Sequence, residues 1–118
     1  MEPCFIETAV FTREVTRLGL EPDLVELQAL LRHHPTAGVV VPGTGGVRKV
    51  RMGARERGRG KRGGARVHYL WLPAPRVIYL LVVYAKDSAS TLSAAGKRQA
   101  RRLVEAIKAE WRLREGAP

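Results

Sequence analysis

The segment VRKVRMGARERGRGKRGGARVHYLWLPAPRVIYLLVVYA, residues 47–85, contains three strand patterns joined by two different kinds of connection. In residues 47–52 the side chains alternate, so Val50 and Met52 share one face with Arg48, while Val47, Lys49 and Arg51 share the other. Residues 66–72 alternate again, with Val67, Tyr69 and Trp71 on one face and Arg66 and His68 opposite. Pro73-Ala74-Pro75 then makes a short turn into residues 77–84. The apolar run from Val77 to Ala85 is about half of the roughly 20 residues that a membrane-spanning helix needs, and it reads as a buried strand. The last two strands form a hairpin and all three a meander. Between the first two lies a glycine-arginine loop, residues 53–65.

Upstream, Phe5, Ile6, Val10 and Phe11 bracket a β-branched and aromatic run that predicts a first strand. From Thr12 the period becomes helical, with Val15, Leu18, Leu24, Leu27, Leu30 and Leu31 at helical spacings. Gly19 and Glu21-Pro22 divide that stretch into two helices, the second ending near His33, before His34-Pro35 and Gly38. Residues 39–42 read as a connector or short strand. Downstream of a Ser/Thr-rich linker, Ala100, Leu103, Val104, Ile107 and Trp111 form the apolar stripe of a last helix. The predicted order is strand, helix, helix, three-stranded meander, helix. That is an α+β fold with a mostly antiparallel sheet, in a single domain over residues 1–118.

The chain of 118 residues is 45% apolar and 27% charged, so it can bury a core without disulfides or metal. Cys4, its single cysteine, has no internal partner, and MEPCFIETAV lacks the basic and apolar regions of a signal peptide. A cytoplasmic location and no membrane association are expected. The formal charge of +10 is unevenly spread: residues 48–66 hold nine Lys or Arg against Glu56 alone, a net of +8. Residues 1–42 carry three Arg against six acids, a net of −3, and residues 91–115 carry seven Lys or Arg against three acids, a net of +4. Two basic regions, one of them rich in glycine, point to nucleic acid as the partner. In the last helix Lys97, Arg98, Arg101 and Arg102 crowd the first turns, where they oppose the helix dipole, and this also implies an anionic partner.

The motif search is mainly negative. Gly58-Arg59-Gly60-Lys61-Arg62-Gly63 satisfies G-x-G-x-x-G, but a strand follows it where a dinucleotide fold needs a helix. The P-loop spacing fails because Lys61 is followed by Arg62. One cysteine and three histidines give no metal-ligand spacing, and no cofactor is expected. His33 and His34 read as a helix C-terminus, His68 as a half-buried strand histidine beside Arg66, and Tyr69, Trp71 and Tyr79 as core. No Ser/His/Asp or Cys/His arrangement can be built, which argues against a conventional hydrolase. A phosphodiester can still be cut by its own RNA 2′-hydroxyl when cations stabilise the developing charge and a nearby side chain moves protons.

Three parts of the chain carry a resemblance: GTGGVRKVRMGARERGRGKRGGARVHYLW, VIYLLVVYAKDS and TLSAAGKRQARRLVEAI. In order and spacing they resemble a RelE/HigB-type toxin of a bacterial type II toxin-antitoxin pair, within the RelE/ParE superfamily. The resemblance implies a metal-independent mRNA endoribonuclease that enters the ribosome, cleaves translated mRNA and inhibits translation. A cognate antitoxin, of the helix-turn-helix HigA type, would restrain it. By the same resemblance Lys49, Arg51 and Arg66 are the catalytic cations, with Lys49 as base, and Lys86 matches a basic residue at the last strand's end. Asp87 stands where related toxins carry a further basic residue, and their C-terminal tyrosine is missing. The acid is therefore open among Tyr84, His68 and Lys61. Arg48, Arg55, Arg57, Arg59, Lys61, Arg62, Lys97 and Arg98 are the expected contacts to mRNA and ribosomal RNA. The alternatives are a ParE-like inhibitor of DNA gyrase and a non-enzymatic RNA- or ribosome-binding protein.

Overall fold

A computed structural model of the chain describes residues 2–55, 64–86 and 92–115. Their elements run β1 (Cys4–Glu7), α1 (Ala9–Leu18), α2 (Glu21–His33), β2 (Val39–Val40), β3 (Arg48–Met52), β4 (Ala65–Leu72), β5 (Val77–Ala85) and α3 (Ala94–Glu115). The fold is α+β, with a five-stranded sheet of order β1-β5-β4-β3-β2. Strands β2 to β5 pair antiparallel, and β1 joins the far edge parallel to β5. The meander is thus the centre of the sheet, and the residues at 39–40 are its short outer strand.

The first strand is shorter than the residue pattern predicts. Val10 and Phe11 belong to α1, because Thr8 caps the helix: its Oγ1 accepts the Phe11 N–H at 3.0 Å. Capping turns Phe11 into the core, where it is fully buried. Gly19 ends α1 in the left-handed region at φ 66°, donating its N–H to the last turn, and Pro22 lies in the first turn of α2.

Each sheet face has its own core. On one face Phe11, Val15, Leu24 and Leu31 of α1 and α2 pack against Met52, Val67, Tyr69, Ile78 and Leu80. On the other, Val104 and Ile107 of α3 cover Val47, Leu70, Leu72 and Leu81, with Ala100, Trp111 and Tyr79 at the margin. The Trp111 indole N–H donates to Tyr79 Oη at 2.7 Å and fixes the far end of α3. Leu103, predicted in this stripe, lies beside it and is 43% exposed, so the stripe is narrower than the sequence periodicity indicates.

Tyr69 closes the first core against the loop after α2. Its Oη accepts the Gly38 N–H at 2.9 Å and donates to Pro35 O at 2.7 Å. A Cβ at Gly38 would stand 2.8 Å from Tyr69 Cε1 and 2.9 Å from Lys49 O, so only glycine permits this approach. Tyr69, Trp71 and Tyr79 are core or core-margin residues, as their strand patterns predict.

One irregularity interrupts the β4–β5 hairpin. Tyr69 pairs with Leu80, but His68 pairs with Val82, so Leu81 is inserted without a partner. The Leu81 carbonyl accepts a hydrogen bond from Thr8 Oγ1 at 2.7 Å. A single hydroxyl therefore caps α1 and satisfies the bulge. Among the described residues, no helix is long and apolar enough to cross a membrane.

Candidate functional site

On the sheet face that α3 covers, the apolar residues stop where the helix begins. Beyond them the strand register aligns two rows of side chains: Arg51, Arg66 and Tyr84, then Lys49, His68 and Val82. Adjacent strands lie ~4.8 Å apart and alternate residues ~7 Å along a strand, so three cations, an imidazole and a phenol rise from one small patch. The strand alternation read from sequence brings Lys49, Arg51, Arg66 and His68 to this face. Tyr84 reaches it through the bulge. A plain hairpin counted from the Leu72–Val77 pair would set His68 opposite Leu81 and Tyr84 opposite Ala65, with the phenol on the other face.

His68 and Tyr84 form a couple. Tyr84 Oη lies 3.2 Å from His68 Nε2, and the rings meet edge to face, 5.3 Å between centroids at 83°. His68 is 3% exposed, more deeply buried than its sequence position indicates. Burial lowers its pKa from the ordinary 6.5, and the neighbouring Lys49 charge lowers it further. Burial raises the Tyr84 pKa above the ordinary 10.0, while the Arg66 charge opposes that rise. Around neutral pH the imidazole is uncharged and the phenol keeps its proton. The tautomer of His68 sets the direction of the bond: the phenol donates to a bare Nε2, or an Nε2–H donates to the phenol oxygen.

Other predicted residues have different surroundings. Arg48 turns to the loop after α2, where its Nη1 donates to Gly38 O at 2.7 Å and Thr36 O at 3.3 Å. Arg55 pairs with Glu26 and, at 3.7 Å, with the buried carboxylate of Asp23. The Arg55 backbone N–H also faces that carboxylate at 3.3 Å. These two arginines anchor loop backbone and helix α2, and neither lies in the patch. The acids that hold Arg55 come from a helix about 30 positions earlier, a pairing that charge runs do not reveal. Arg57, Arg59, Lys61 and Arg62 lie outside the described residues.

Lys86 is exposed, one residue past β5, and its N–H donates to Gly64 O at 3.0 Å, which continues the sheet beyond the patch. Leu92, just before α3, lines the same pocket as His68 and Tyr84, so α3 starts beside the patch. Lys97 lies over Gly43 in the β2–β3 loop, and Arg98 is exposed in the same helical turn. The residue that sequence reasoning missed is Thr8. Its only local signal is a threonine ahead of an apolar helical period, and the bulge carbonyl it binds is 73 positions away.

Among the described residues no group of three or more His, Cys, Asp or Glu side chains could hold a metal ion. The patch offers fixed positive charge, a neutral imidazole and a protonated phenol. These groups can bind a phosphodiester and move a proton at its oxygen atoms. No protein-family model matches the chain.

Proposed function

We propose that the chain is the toxin of a toxin-antitoxin pair, a RelE/HigB-like endoribonuclease that cleaves translated mRNA on the ribosome. One observation carries this reading: Lys49, Arg51 and Arg66 share an open half-face of the sheet with the His68–Tyr84 couple. A ribosome substrate also agrees with the formal charge of +10. In this reading the antitoxin is the partner that keeps the patch inactive.

The reaction is an in-line attack of the RNA 2′-hydroxyl on its own phosphorus. The new bond is 2′-O–P, the bond broken is P–5′-O, and the products are a 2′,3′-cyclic phosphate and a free 5′-hydroxyl. Lys49 takes the 2′-hydroxyl proton. Arg51 and Arg66 neutralise the charge that builds on the phosphoryl oxygens. Tyr84 gives its proton to the departing 5′ oxygen, and the resulting phenolate is stabilised by an Nε2–H of His68 and by the Arg66 charge.

The test is cleavage of a defined mRNA on programmed ribosomes by the purified full-length chain, with end-group analysis for the cyclic phosphate. Wild type cleaves the message, and Arg66→Ala reduces the rate by roughly 10²–10³-fold, the usual loss for one group that stabilises developing negative charge. Intact mRNA after incubation with wild-type protein ends the enzymatic reading. Salt-dependent binding without cleavage would instead identify an RNA binder.

A further inference from the structure

Beside the patch, where β1 has ended and β5 runs on, α1 and β5 enclose a pocket of about 350 Å³. This lies at the lower end of the roughly 300–1,000 Å³ typical of small-molecule sites. Val10, Val82 and Leu92 supply apolar wall, Tyr84 supplies an aromatic one, and Arg13 and Glu14 are its charged residues. Arg17 holds the Glu14 carboxylate through two parallel hydrogen bonds, Nε to Oε2 at 2.9 Å and Nη2 to Oε1 at 2.8 Å. Both oxygens keep a lone pair for a ligand.

We propose that this pocket binds a guanine base of the RNA whose phosphate lies on the cationic patch. The inference rests on the ribonuclease reading of that patch and adds the base that it selects. An unstacked base needs apolar or aromatic cover for its faces and a hydrogen-bonding group at its edge. Tyr84 and the three aliphatic side chains provide the cover. The guanine Watson–Crick edge presents two adjacent donors, N1–H and N2–H, which match a carboxylate oxygen by oxygen. Adenine, cytosine and uracil do not present that pair. Tyr84 belongs to both sites, so a base in the pocket is continuous with a phosphate beside Arg66.

The experiment is titration of the purified full chain with the four nucleoside 3′-monophosphates, followed by NMR. Guanosine 3′-monophosphate should bind on the order of tenfold more tightly than the other three. Its shift changes should centre on Val10, Val82 and Tyr84. Glu14→Gln, a surface change that leaves the thermal midpoint in place, should remove the guanine preference while phosphate-dependent binding persists. Equal affinity for all four nucleotides, or shift changes confined to α3, overturns the pocket. Guanine preference without mRNA cleavage leaves the pocket standing and ends the nuclease reading. Equal nucleotide affinities with Arg66-dependent cleavage do the reverse.

Discussion

The α3-side face of the sheet has two halves, built from the same strands with opposite chemistry. Under α3 lie Leu70, Leu72 and Leu81, closed by Val104 and Ile107. Beyond the helix, Arg66 and His68 continue the same side of β4, joined by Lys49, Arg51 and Tyr84. The covered half contributes stability by removing apolar area from water, whereas the open half keeps charges close together without neutralising them. The boundary lies at the bulge between His68 and Tyr69. A site of this kind is an interruption of a core pattern, and the residues that hold its shape belong to the core next to it.

Substitutions on either side of the boundary should separate the two halves. The largest loss of stability belongs to the covered half: Leu70→Ala should cost about 2–5 kcal/mol in chemical denaturation, because the space under α3 cannot collapse completely. Arg66→Ala is its counterpart, raising the cleavage barrier by about 3–4 kcal/mol while unfolding stability stays within about 0.5 kcal/mol. An Arg66 variant that lost stability as Leu70→Ala does would erase the distinction. Thr8→Val acts on both halves, since it removes a helix cap and the bulge's hydrogen bond. A loss of about 1–2 kcal/mol is expected, together with a change in the Tyr84 ring signals that no other α1 surface substitution reproduces.

The smallest effect concerns pH. His68 has a folded pKa below its ordinary 6.5, so on acidification through about 6.5 the unfolded chain takes up the proton first. Stability contributed by the neutral buried ring is present above that pH and is lost as the pH falls toward the folded value. His68→Gln should flatten this part of the stability profile. An unchanged slope would show that the ring is not held neutral by its surroundings.

Local pattern was enough for most of the frame and for part of the site. Strand alternation brings Lys49, Arg51, Arg66 and His68 to one face, and Gly19, Pro22 and His34-Pro35 mark the helix ends. The misreadings have non-local causes. Val10 and Phe11 have strand propensity, yet a cap at Thr8 commits them to a helix. Residues 77–85 are almost uniformly apolar, so nothing in their pattern marks Leu81 as the inserted residue, and the face of Tyr84 follows only from pairing with β4. Arg48 and Arg55 add to the charge run but are bound by carbonyls and carboxylates of distant segments.

The parallel pairing of β1 with β5 has a consequence for synthesis. Phe5 pairs with Ile78 and Glu7 with Leu80, and the same strand leads into the threonine that holds the bulge. The first strand translated must wait for more than 70 further residues before its seat exists. Such distant pairings close slowly because the intervening chain must be ordered first. While β5 is still inside the exit tunnel, the nascent chain has neither the Tyr84 register nor a finished patch. A protein acting on translation would thus be inert toward the ribosome that is making it.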